Sequence, residues 1–133
     1  MTNFLSLSPR RTTQYESAAW RGSTARPGVR FAVARISLGR RMEVAREIRE
    51  IGERLEFLRA GDGLADKVSA TITAAEVDWA YLRHGLAGIE GLEIDGAPAT
   101  AESLFAAGPE DLTREILATI RSEWSLSEEQ RKN

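Results

Sequence analysis

His84 is the only histidine of the chain, and it closes the segment "SATITAAEVDWAYLRHG" beside Gly85. An imidazole can serve as a general base if a nucleophile and an orienting carboxylate stand at a readable spacing. No serine or aspartate is so placed. A histidine in the last turn of a helix is explained as well by the negative end of the helix dipole. The carboxylates of "DGLAD" (62–66) and "EIDG" (93–96) match no calcium loop. "AGDG" (60–63) and "GIEG" (88–91) lack the lysine and the strand-loop-helix order of a phosphate loop. There is no cysteine, which excludes disulfides, thiol catalysis and cysteine-bound metal. The chemistry-bearing residues therefore predict a non-enzyme, with no catalytic residue, no metal and no cofactor.

Charge is more informative than any motif. Residues 1–41 hold eight arginines against Glu16 alone, a balance of +7, while residues 42–133 hold ten basic and nineteen acidic groups, a balance of −9. A basic arm on an acidic body can reach a neighbouring copy, another acidic protein or nucleic acid. The arm's candidates for partner contacts are Arg10, Arg11, Arg21 and Arg26, with the aromatics Tyr15 and Trp20 between them. Such a mixture can hold phosphates and stack on bases. The acidic body and the lack of a basic helix face rank a nucleic-acid-binding regulator last among the readings. An exposed arginine-rich segment without a partner explains the same charges.

At 133 residues the chain has room for one domain with a real core. Its apolar runs fall far short of the roughly 20 residues needed to cross a bilayer. In "MTNFLSLSPRR" the charge follows the apolar stretch, the reverse of a signal peptide, so an intracellular, soluble product is expected.

The elements that must position these residues follow from hydrophobic period. Residues 1–28 lack one and are expected to form an extended, flexible arm, with Pro27 and Gly28 as the boundary to a domain over 29–133. "VRFAVARIS" alternates Val29, Phe31 and Val33 against Arg30, Ala32, Ala34 and Ile36, which predicts a strand. Met42, Ala45, Ile48, Ile51, Leu55 and Leu58 then recur at three or four residues, a helix of about 20 residues supported by pairs such as Glu50 with Arg54. Gly61 suits its C-terminal cap. Residues 69–85 predict a second helix with Ala74, Val77 and Tyr81 inward, although Thr71, Ile72 and Thr73 also suit a strand. Asp95-Gly96 signals a tight hairpin before Pro98. Thr100 caps a short helix stopped at Gly108. Pro109, Glu110 and Asp111 open another, whose stripe is Leu112, Ile116, Ile120 and Trp124. Ser125 or Ser127 could cap a separate last turn in "WSLSEEQRKN", too short to stand without docking on something. The fold class is α+β: a small antiparallel sheet of two or three strands with four or five helices and an extended N-terminal arm.

Three stretches, "VARISLGRRMEVAREIREIGERLEFLRAG", "GIEGLEIDGAPATAESLFAAGPEDLTREILATIR" and "LSEEQRKN", resemble the tail assembly chaperone-like proteins of long-tailed bacteriophages and prophages. The likeness spans residues 29–133, and Gln130 departs from it where a third acid is expected. It implies a morphogenesis factor in the bacterial host cytoplasm, which coats the helical tape-measure protein until tail-tube subunits polymerise around it. Trp124 and Leu126, beside a C-terminal docking tail, become candidate contacts under it, although Trp124 on its apolar stripe can equally close the core. The alternative is a structural subunit that stays in the virion, binding tail proteins or copies of itself through the basic arm.

Overall fold

The computed structural model describes residues 18–132, with side chains to Ser125. Among the described residues it is an α+β fold of four helices, a three-stranded antiparallel sheet and a two-stranded hairpin. In chain order the elements are β1 (Ala18–Gly22), β2 (Arg30–Ala34), α1 (Leu38–Arg59), α2 (Leu64–Gly85), β3 (Leu86–Glu90), β4 (Glu93–Ile94), β5 (Ala97–Pro98), α3 (Ala101–Ala107) and α4 (Glu110–Lys132).

The alternation in β2 does what its period predicts. Val29, Phe31 and Val33 point to one side and are buried against Leu112, Ile116 and Ile120 of α4, with Leu82 and Leu104 completing the core. Strand β2 lies between β1 and β3, so neither of its edges is left open. On the sheet's other side the register lines up Trp20, Ala32 and Gly88 across the three strands. The Trp20 indole comes so close to Gly88 that a Cβ there would meet the ring at about 3.0 Å. Ala32 beneath it is fully buried.

Two boundaries differ from expectation. The segment assigned to a flexible arm is folded from Ala18 onward: β1 pairs along the whole of β2, from Ala18↔Ala34 to Gly22↔Arg30. Its sequence, "AAWRG", is too short and too poor in β-branched residues to announce a strand, and only the neighbour supplies the reason to be one. At the other end "SLSEEQRK" does not open a turn of its own but continues α4 to Lys132.

Helix α1 starts on Ser37, whose hydroxyl accepts from the Arg40 amide. It returns on α2, which begins at Leu64, five residues before the expected start. Gly61 lies in the tight connection, where the Asp66 carboxylate occupies the space a Cβ would need. The expected inward stripe of α1 is only partly inward. Val44 is its one buried residue, and Met42 is 55 % exposed. Likewise Ala70, Thr73, Ala80 and Leu82 of α2 are more buried than Ala74, Val77 and Tyr81. The reason is geometric: α1 packs against α2 and little else, so one narrow seam is enough.

The remaining local signals hold. Asp95 and Gly96 both take positive φ, 53° and 80°, as a two-residue hairpin turn requires. Thr100 and Ser103 form a reciprocal capping box on α3.

Candidate partner-binding surface

The arm's arginines are best followed one by one. Arg10, Arg11 and Tyr15 lie outside the described residues. Arg21, in β1, reaches Glu123 of α4 at 3.1 Å. Arg26, in the turn to β2, donates from Nε to both oxygens of the Asp111 carboxylate at 3.1 and 3.2 Å. Between them Glu115 accepts hydrogen bonds from the Ser23 hydroxyl (2.5 Å), the Thr24 amide and hydroxyl (both 2.8 Å) and the Ala25 amide (3.4 Å). Burial alone would raise the Glu115 carboxyl, but the bonds from Ser23, Thr24 and Ala25 outweigh it and hold it below the ordinary glutamate value. Asp111, Glu115 and Glu123 recur at multiples of four, so one acidic face of α4 clasps residues 21–26. Two of the eight arginines behind the +7 balance are thus paired within the chain.

Trp20 is 42 % exposed, yet it lies across its own sheet with the Arg30 guanidinium 5.6 Å from the ring centroid. Trp124 is half-buried against the core and donates from its indole to the Ala34 carbonyl at 3.3 Å. It therefore does close the core, and only its outer edge, beside Tyr81 at 5.8 Å, is available. The Leu126 side chain lies outside the described residues.

His84 sits in the last turn of α2 as the dipole reading expects, and its ring nitrogen meets Glu47 of α1 at 3.1 Å. Glu47 also pairs with Arg83, and Arg54 pairs with Glu76 at 3.3 Å. Arg54 thus ties α1 to α2, where the sequence suggested Glu50 on its own helix.

The apolar surface that sequence reasoning missed lies on the α1–α2 pair. Leu64 (78 %), Val68 (53 %) and Ile72 (59 %) are exposed at four-residue spacing on α2, and Phe57 (79 %) stands near the end of α1. Further along α2, the Trp79 ring packs at a tilt against Phe105, centroids 5.2 Å apart, and Phe105 is itself exposed. The signal was present in "LADKVSATIT", whose apolar residues recur every four. The β-branched run of residues 71–73 masked it. No helix among the described residues is long and apolar enough to cross a membrane.

No protein-family model matches the chain, and no curated protein or solved structure does either.

Proposed function

We propose that the chain is a non-enzymatic assembly factor of phage or prophage tails, which shields an amphipathic helix of a tail protein such as the tape-measure protein. The observation that carries this reading is the exposed row of Leu64, Val68 and Ile72 on α2, with Phe57 also exposed near the end of α1. Large apolar side chains contiguous on one helix face favour a helical partner that inserts its own apolar stripe. Nothing in the core needs them there, since α1 and α2 already hold one another by their inner seam and by Arg54 and Glu47. The sequence resemblance to tail assembly chaperones supplies the identity of the helix. A long tape-measure helix is a fitting client, because it would aggregate if its apolar stripes stayed bare.

The alternative, a subunit retained in the particle through its basic arm, loses support because Arg21 and Arg26 are already paired with Glu123 and Asp111 of the same chain. Mass spectrometry of purified particles and of the lysate that produced them tests the choice. Abundance in the lysate with absence from particles is the expected result. Many copies per particle would instead establish the structural subunit. Within the assembly reading, Ile72→Glu should abolish co-purification with the tail partner and leave the fold intact. Unchanged co-purification would remove the stripe from consideration.

A further inference from the structure

A second surface lies on the side of α1 away from Glu43 and Glu47. A cleft of about 220 Å³ opens between α1, α2 and α4, floored by Val44, Ala45 and Ile48 and walled by Tyr81 and Trp124. Arg41 and Arg49 stand on its α1 rim and Arg121 on its α4 rim. Arg121 is engaged: it pairs with Asp78 at 2.7 Å and stacks over Tyr81 at 4.6 Å. The side chains of Arg41 and Arg49 have no hydrogen-bond or ion-pair partner among the described residues. The Nε of Arg41 is shut away from solvent as well. No carboxylate lines the cleft among the described residues.

The placement of Arg41 runs against local helix chemistry. Arg41 lies in the first turn of α1, which carries no acid. The positive end of the dipole penalises cations there. At roughly 100° per residue, Arg41, Ala45, Ile48 and Arg49 share about a quarter of the helix circumference. Glu43 and Glu47 fall on the far side, and Glu47 is taken by Arg83 and His84. A cation placed against that local rule, its side chain without a partner among the described residues, marks a surface shaped by something other than stability.

We infer that this cleft binds an acidic peptide segment of a protein partner, one that seats an apolar side chain on Val44, Ala45 and Ile48 and offers carboxylates to Arg41 and Arg49. Guanidinium forks suit carboxylates because two parallel N–H donors meet two oxygens. The concave apolar floor favours a peptide over a nucleic-acid backbone, whose phosphates need a shallow charged track and have no side chain to fill a pocket. The site is separate from the stripe of Leu64, Val68 and Ile72 and does not rest on the tail-assembly reading.

The test is fluorescence anisotropy of a labelled synthetic peptide in which leucine alternates with glutamate. A lysine-for-glutamate version and a short single-stranded oligonucleotide serve as competing probes. Saturable, salt-weakened binding of the acidic peptide is expected, with little binding of the lysine version. Arg49→Gln should weaken it roughly tenfold, the loss of one charge-assisted contact, and Arg41→Gln should weaken it further. Arg49 is exposed on α1, so its variant keeps the proposal falsifiable even if Arg41→Gln unfolds. Ile72→Glu should bind the peptide as wild type does, which separates failure here from failure of the stripe. Equal binding by Arg49→Gln, or no binding of the acidic peptide, would overturn the inference. Preferential binding of the oligonucleotide, lost in the same variant, would overturn it too and assign the arginines to phosphates.

Discussion

The two ends of the molecule solve different problems. Around β2 and α4, Phe31, Leu82, Leu112, Ile116 and Ile120 are at most 2 % exposed, and the surrounding carboxylates are bonded to residues 21–26. Along the α1–α2 pair, Val44 is the only buried residue of a 22-residue helix, and Phe57, Leu64, Val68 and Ile72 face solvent. Both regions contain about the same kinds of apolar residue. What differs is how many neighbours the chain's own topology provides. A helix that packs on one other helix has to bury only a seam, so the rest of its surface is open to selection for contacts outside the fold.

The comparison can be broken by substitution, and the largest effect should come from the core. Ile116→Ala is expected to cost about 2–5 kcal/mol in urea or thermal denaturation, since a fully enclosed side chain leaves a cavity. Gly85→Ala should cost about 1–3 kcal/mol, because the new Cβ would run into the Ile120 side chain where α2 meets α4. Glu115→Ala should cost about 1 kcal/mol, near the lower end for charge-assisted hydrogen bonds because water reaches the site. Ile72→Ser should change stability by no more than about 0.5 kcal/mol. If Ile72→Ser proved as costly as Ile116→Ala, the division between an enclosed end and an end with apolar side chains in solvent would fail.

The same division predicts a response to acid. Glu115 titrates below the ordinary glutamate value in the folded chain, so its contribution is fully present above about pH 4.3 and is lost as the pH falls through the lower folded value. Denaturation midpoints of wild type and Glu115→Ala should therefore converge on acidification. A constant gap down to pH 3 would show that the carboxylate's charge is not what ties residues 23–25 to α4.

Elements with a local cause could be read from the sequence. Asp95-Gly96 is a turn wherever two short strands flank it, Thr100 caps because Ser103 follows three residues later, and Leu112, Ile116 and Ile120 repeat at the helix period. What escaped depends on residues distant in the chain. Strand β1 exists because β2 is beside it and α4 clasps the turn after it. Arg21 and Arg26 looked like a free arm because their partners, Glu123 and Asp111, lie 102 and 85 positions away. Of the candidate contact residues, Trp124 was placed on the correct stripe, while the row from Leu64 to Ile72 was hidden by its own β-branched composition. The arginine cleft was invisible for a related reason: its α1 rim was legible as a charged helix face, but the facing wall comes from α2 and α4.

The clasp of α4 on residues 21–26 also has a meaning in time. Ser23 and Glu115 are 92 residues apart, and a ribosome adds roughly 5–20 residues per second. The first strand of the sheet is therefore synthesised about 5–20 seconds before the helix that fastens its turn. During that interval the α1–α2 pair can already form from contacts near in sequence, whereas β1 cannot be locked in place. The nascent chain can thus hold a helical pair while its sheet is unfinished, and α4 is the helix that fastens the turn after β1.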